Sequence, residues 1–287
     1  MRLAIAFDRL RWEEKALREE AVSQGLEVSL VDAKELLFDI SKKKGDGALP
    51  ELVLQRCISH YRSLFLTRML EAHGHRVVNS YGVAEVCGNK LASTIALARA
   101  GVPTPRTVVA LSPETAERAA EEIGFPVVLK PFTGSWGRLI SVATDMSTLR
   151  SLVELREELP NPVDHMYYVQ EYVRRPPRDI RAIVAGDKIV ACVHRYAAEG
   201  DWRTNVARGG TSRVFSPEKD LQEIILKAAV AVGGGVLGVD AMESEAGGYV
   251  VHEVNNTVEF KGAQSAVDSS IAKKIVEYVV AGVKRTS

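Results

Sequence analysis

Residues 235–256 read GVLGVDAMESEAGGYVVHEVNN, two apolar runs of strand length around the turn Ala246-Gly247-Gly248. The runs Val236–Glu243 and Tyr249–Asn255 are therefore expected as neighbouring strands. In the second, Glu253 and Asn255 stand two apart, so strand alternation sends both to one side of the sheet. Asp240 comes from the first. Two carboxylates and one amide oxygen are hard donors of the kind nucleotide-bound magnesium takes together with phosphate oxygens. A strand as apolar as YVVHEV does not bury an acid cheaply without a cation or a partner. The plainer alternative is an acid that faces water, and the shared face of Glu253 and Asn255 argues against it.

Upstream, strands alternate with helices. Residues 2–7 (RLAIAF), 27–31 and 52–54 are short apolar runs, and 12–23 and 61–72 carry helical patterns. That order indicates a small parallel sheet covered on its faces. Residues 38–50 read as a loop. Its run Lys42-Lys43-Lys44 is expected as a solvated tip, with docking of an acidic partner as the other reading. Asn89 can cap a helix to about Ala100, which Gly101 ends and Pro103 and Pro105 stop. Then come a strand at 106–110, a helix at 113–123, a strand at 127–130, a glycine-rich loop, a strand at 139–143, a helix at 147–158 and an extended run at 167–173. Residues 179–184 and 188–194 flank Ala185-Gly186-Asp187 as a hairpin. Residues 202–213 are expected as loop, and 221–232 and 270–283 as helices. The fold class is mixed α/β and α+β. An N-terminal α/β lobe spans 1–88, a small central α+β lobe 89–170, and an antiparallel α+β lobe 171–287.

Thirty-seven basic and thirty-seven acidic residues leave no net charge, so the chain has no global field to gather nucleic acid. Cys57, Cys87 and Cys192 form no CxxC pair, which argues against a disulfide framework or a cysteine-rich zinc site. The first apolar run is too short for a signal peptide, and no stretch approaches a membrane span, so a cytoplasmic protein is expected. Gly233–Gly238 satisfies GxGxxG, but a helix precedes it and a strand follows, the reverse of a dinucleotide turn. The six histidines lack zinc-ligand company, and structural or surface roles are expected for all of them. His73 and His75 fit a solvated corner. His194 and His252 each adjoin a stronger candidate, Arg195 and Glu253, from which alternation turns them away.

Three further stretches bear on chemistry. Residues 127–138, VVLKPFTGSWGR, run from a strand ending in Lys130 into a loop holding Gly134, Ser135, Trp136, Gly137 and Arg138. Inward-turned amides and a lysine at a strand end suit phosphate oxygens, though an ordinary hairpin turn has the same look. Residues 167–173, YYVQEYV, followed by Asp179 and Arg181, can offer backbone groups to a purine edge and a carboxylate to a ribose hydroxyl; taken alone they are a buried strand. Residues 195–210 hold Arg195, Asn205 and Arg208 in a glycine-bearing loop suited to clamping phosphate or carboxylate, although loop arginines are commonly just solvated.

Taken in order, QRCISHYR, GNKLAS, VLKPFTGSWGRLIS, QEYV, RDIR, TNVARGG and EVNNTVEFK resemble the ATP-grasp ligases. They are closest to the LysX type that serves carrier-protein-dependent lysine and arginine biosynthesis, in the group of the ribosomal-protein glutamate ligase. The resemblance runs from the first strand to about Lys261. It implies ATP and Mg2+ as cofactors, with Lys90 and Lys130 on the phosphates and residues 134–140 folded over them. Gln170, Glu171, Tyr172, Val173, Asp179 and Arg181 would hold adenine and ribose, and Asn205 would complete the site. Asp240, Glu253 and Asn255 would bind magnesium. Arg195 would contact substrate and Arg208 the acyl phosphate.

The implied partners are a small acidic amino-group carrier protein and 2-aminoadipate or glutamate, in a homodimer or homotetramer. The carrier's C-terminal γ-carboxylate would be phosphorylated and then attacked by the amino acid's α-amine. Gly262-Ala263 departs from both the Asn-containing pair of the lysine type and the Gly-aromatic pair of the arginine type, so this position would discriminate weakly. A ribosomal-protein glutamate ligase, a dipeptide ligase and a non-catalytic nucleotide-binding module are the alternatives.

Overall fold

The computed structural model describes residues 1–42, 49–134, 137–197 and 210–284 and builds them around three sheets. The first holds β1 (Arg2–Phe7), β2 (Glu27–Asp32), β3 (Leu52–Gln55) and β4 (Arg76–Val78), all parallel, in the order β2-β1-β3-β4. A parallel sheet is covered on both faces, so its strands read as unbroken apolar runs. Leu3 and Ile5 pack with Leu17 and Ala21 of α1 (Trp12–Ser23), while Ala4 and Val53 pack with Leu66 and Leu70 of α2 (His60–Ala72). Beyond the expected elements lie the three-residue β4 and the short helix α3 (Tyr81–Cys87). Helix α4 (Lys90–Arg99) starts where expected: the Asn89 side chain accepts from the N–H groups of Leu91 and Ala92 at 2.9 and 3.3 Å.

The second sheet contains β5 (Thr107–Ala110), β6 (Val127–Lys130), β7 (Ser141–Ala143) and β8 (Tyr167–Glu171), antiparallel in the order β5-β8-β6-β7. Its apolar face is covered by α5 (Pro113–Ile123) and α6 (Met146–Glu157) through Ala116, Ala120, Leu149 and Val153. Ser112 and Asp145 cap the two helices, accepting from Thr115 N–H at 3.2 Å and Thr148 N–H at 2.8 Å.

The third sheet is antiparallel throughout: β9 (Arg178–Ala185), β10 (Lys188–Tyr196), β11 (Thr211–Val214), β12 (Val236–Glu243) and β13 (Tyr249–Asn255), in the order β11-β10-β9-β12-β13. Residues 211–213, expected as loop, thus belong to an edge strand. Their polar sequence carries no alternation of its own, and pairing with β10 sets their conformation. Helix α7 (Lys219–Ala231) covers one face of this sheet. The other meets α9 (Ile271–Lys284) and the N-terminal sheet in one continuous apolar cluster. The short helix α8 (Lys261–Gln264) precedes α9.

Gly233, Gly234 and Gly235 form the turn between α7 and β12, so the GxGxxG run opens no helix. At Gly235, with φ 111°, an added β-carbon would lie 2.2 Å from Asn79 Oδ1. That close approach lets Asn79, from the first sheet's lobe, grip the third. Its Oδ1 accepts from Val236 N–H at 2.7 Å, and its Nδ2 donates to the carbonyls of Val236 and Asn256, each at 2.8 Å.

Candidate active site

A cavity of about 610 Å3 opens between the N-terminal lobe and the third sheet. One wall carries Arg181, Arg195, Asp240, Glu253 and Asn255, and another Cys57, His60, Cys87 and Lys90. Gly134 closes one side, and Gly262 and Ala263 of α8 another.

Strand register assembles the charged wall. Asp179 lies opposite Arg195, Arg181 opposite Asp240, and Asp240 opposite Glu253. Arg181 meets Asp240 through two contacts, at 2.5 and 2.8 Å. Arg195 makes a fork of two bonds to Asp179, at 2.8 and 2.7 Å, and also reaches Asp240 at 3.1 Å. Asn255 Nδ2 donates to Asp240 at 3.3 Å. Burial works against the Arg195 charge, but Asp240 and Asp179 overcome it and hold the guanidinium above the usual arginine range. Both carboxylate oxygens of Asp179 thus brace Arg195.

The lysines stand on the other side of Glu253. Lys90 Nζ lies 3.2 Å from the Glu253 carboxylate and donates to the Gly134 carbonyl at 2.9 Å. Burial opposes the Glu253 charge, yet Lys90, His252 and Lys130 together hold its pKa down to about 2. Lys130 is buried at the end of β6 and donates to Gln170 Oε1 at 2.6 Å. Burial pushes its pKa down to about 8, with Lys90 adding to the effect and Glu253 opposing it. A lysine so placed favours any ligand that brings negative charge.

Gln170 is locked by Thr107 Oγ1 at 2.9 Å and Tyr168 Oη at 3.1 Å. Glu171 is tied to Arg106 through both backbone and side chain. Tyr172 N–H reaches the Pro126 carbonyl at 3.3 Å, and Tyr172 and Val173 are both partly buried. Gly137 (φ 68°) and the exposed Arg138 follow the phosphate-loop segment. Ser135, Trp136, Asn205 and Arg208 lie outside the described residues, as do Lys43 and Lys44.

The structure corrects the reading of three histidines. Between β12 and β13 the register slips: Asp240 pairs with Glu253, but Ala241 pairs with Val251, leaving His252 as the extra residue of a bulge. Strict alternation therefore does not hold at His252. Its ring feels Lys130, Asp179 and Arg195; burial first and Lys130 next lower its pKa to about 3, and its Nε2 is buried without a hydrogen bond. His60 lines the cavity instead of filling a structural role away from it. His73 is buried, its ring nitrogens 2.8 and 3.3 Å from the Met69 and Asp39 carbonyls, not solvated at a corner.

The sequence also gave no sign of the cavity's N-terminal wall. Glu13 Oε1 accepts from the N–H groups of Phe260 and Lys261, both at 3.2 Å, and so seats the start of α8. Arg11 holds Glu259 at 2.9 Å, and buried Arg56 donates to the Val258 carbonyl at 2.8 Å. These contacts join residues some 200 positions apart, and their only local signal is an acid and two arginines in otherwise ordinary elements.

The donor set suits magnesium. Glu253 presents a partly exposed carboxylate to the cavity, and Asn255 uses Nδ2 on Asp240, which leaves Oδ1 as a donor. Asp240 fits less freely, because guanidinium nitrogens already occupy both of its oxygens. Among the described residues no cluster of three or more His, Cys, Asp or Glu side chains could hold a metal alone. The ion's remaining ligands would have to be phosphate oxygens and water.

The chain that builds this wall has relatives. A family model described as RimK-like ATP-grasp domain matches residues 87–279, and one described as LysX preATP-grasp domain matches residues 3–86. The chain belongs to the RimK-like ATP-grasp family. This ATP-grasp chain is 35% identical over 279 residues to a glutamate–LysW ligase ArgX of Sulfurisphaera tokodaii, covering 97% of this chain and 98% of the relative. It is 34% identical over 275 residues to an α-aminoadipate–LysW ligase LysX of Saccharolobus solfataricus, covering 96% and 99%. Among solved structures, a RimK domain protein from Sphaerobacter thermophilus superposes with a TM-score of 0.81 at 26% identity, over 98% of this chain and all of that one. As an ATP-grasp enzyme the chain is an ADP-forming carboxylate–amine ligase that uses ATP. No helix among the described residues is long and apolar enough to cross a membrane.

Proposed function

We propose that this ligase joins the α-amino group of glutamate or 2-aminoadipate to the γ-carboxyl of the C-terminal glutamate of a small acidic LysW-type carrier. The observation that carries this reading is a single cavity bounded at once by Lys90 and Glu253, by Arg195, and by Gly262 and Ala263. Phosphates, a carboxylate and an amino-acid side chain can therefore be held within one volume. The names of the relatives, LysW ligases for glutamate and for α-aminoadipate, supply the substrates.

Lys90 and Lys130 neutralise phosphate charge, and Lys130 gains most from an anion because burial has weakened its hold on the proton. Arg195, fixed by two carboxylates, presents a rigid cation to the acyl phosphate or the substrate carboxylate. Glu253, Asn255 and, after rearrangement of its arginines, Asp240 would hold Mg2+, which when bound neutralises phosphate oxygens. Catalysis then rests on positioning and charge, with no covalent enzyme intermediate. The deciding experiment incubates the purified chain with ATP, Mg2+ and LysW carrier, with each amino acid in turn. The carrier should gain the mass of one amino-acid residue with release of ADP; no gain with either acid would overturn the proposal.

A further inference from the structure

His60 opens α2 and faces the cavity. Its ring sits against Tyr61, centroids 4.9 Å apart. Its other edge lies on Gly88, where an added β-carbon would come 2.2 Å from Cε1 and 2.5 Å from Nδ1. Gly88 has φ −74° and ψ −10°, a backbone any residue adopts. An added β-carbon would also come 2.8 Å from the Ala84 carbonyl oxygen, so the glycine of GNK is demanded by the imidazole beside it as well as by the end of α3. No hydrogen bond holds either ring nitrogen among the described residues. A space is kept for an imidazole whose nitrogens are left for something else, on the wall that also carries Lys90.

We propose that His60 accepts the proton that the amino acid's ammonium must lose before its nitrogen attacks the acyl phosphate, a role that rests on the ligase reading above. The freed amine nitrogen forms the new C–N bond, the carbon–oxygen bond to phosphate breaks, and inorganic phosphate leaves with the second proton that the nitrogen sheds. The first proton passes from the ammonium to an unprotonated ring nitrogen of His60 and from there to solvent. The surroundings keep that ring unprotonated. Burial first, and then Lys90 from α4, lower its pKa below the usual histidine value. On its own helix Arg62 is taken by Asp8 at 2.9 Å, and Glu253 across the cavity is taken by Lys90. From α3, the Cys87 thiol, pushed up to about 12 mainly by burial, brings no charge.

The test compares two acceptors for the same acyl phosphate. Hydroxylamine is largely unprotonated at neutral pH and needs no base, whereas glutamate or 2-aminoadipate arrives as an ammonium. With ATP, Mg2+ and LysW carrier, His60→Gln should form hydroxamate within about twofold of wild type while amide formation falls about a hundredfold or more. Raising the pH from 7 towards 9 should restore part of the amide rate. His60→Phe, which keeps the ring packing without nitrogens, should behave alike. Hydroxamate and amide falling together would make His60 a structural element, and an unchanged amide rate in both variants would also overturn the proposal. If the wild-type protein forms no hydroxamate, the ligase reading itself is wrong.

Discussion

Arg181 and Asp240 face each other across β9 and β12 and close a two-pronged ion pair at 2.5 and 2.8 Å, with almost no solvent on the carboxylate. Removing one member of such a pair leaves the other buried without compensation, whereas replacing both by apolar groups of similar volume is often nearly neutral. Asp240→Ala should therefore cost about 3–5 kcal/mol of stability, and Asp240→Leu with Arg181→Met distinctly less. Urea denaturation of the single and double variants measures this, and a double variant as unstable as the single one would contradict it. Neither should retain ligase activity.

Glu253 should show its ion pair in the pH dependence of stability. Its pKa is about 2 in the folded protein against an ordinary 4.5. A depressed carboxylate contributes stability that is whole above the unfolded value and is lost as pH falls through the folded one. The stability difference between wild type and Glu253→Gln should thus be constant above about pH 5 and shrink steadily between 4.5 and 2. Turnover of Glu253→Gln should be abolished across the whole range in which the protein stays folded.

Lys130 gives a prediction of opposite sign. With a pKa near 8 it is partly unprotonated at mild alkaline pH, and polyphosphate brought alongside should return the proton. ATP binding at pH 8–9 should take up protons, fewer at pH 6.5, and none in Lys130→Met. Calorimetry in buffers of different ionisation enthalpy counts them. Lys130→Met should also weaken ATP binding; unaltered affinity would remove Lys130 from the phosphate site.

On the proposed reading, Gly262 and Ala263 line the amino-acid end of the cavity and offer no side chain long enough to choose between acids that differ by one methylene. A single methylene is worth about 1–3 kcal/mol, so kcat/KM for glutamate and 2-aminoadipate should differ by roughly tenfold to a few hundredfold. Ala263→Phe should shorten the pocket and shift the ratio towards glutamate, at a stability cost of about 1–3 kcal/mol because Ala263 is buried. A wild-type preference of more than about ten-thousandfold would place the discriminating contact elsewhere.

The parts of the fold that were legible are those with a period or a cap. α4, β6, β12 and β13 follow from their apolar runs and from a capping residue such as Asn89, because those signals are local. β4 is three residues long and has no period to read. β11 takes its conformation from β10. The bulge at His252 was hidden because alternation presumes an unbroken ladder, and register is a property of two strands. The charged wall could be drawn from Asp240, Glu253 and Lys130, since such groups are costly in apolar strands. His60, Arg11 and Glu13 could not, because packing between lobes alone makes them neighbours of the cavity.

Asn79 and Gly235 belong to stretches matched by different family models, 3–86 and 87–279, yet one fits only because the other lacks a side chain. A recombination event, natural or in the laboratory, that exchanges the first eighty-odd residues for those of a cousin with another residue at position 79 inherits this mortise without its tenon. Hybrids made at that seam will need position 79 and the glycine at 235 to travel together, which makes the pair the first thing to check in any attempt to graft a new N-terminal lobe onto this half of the chain.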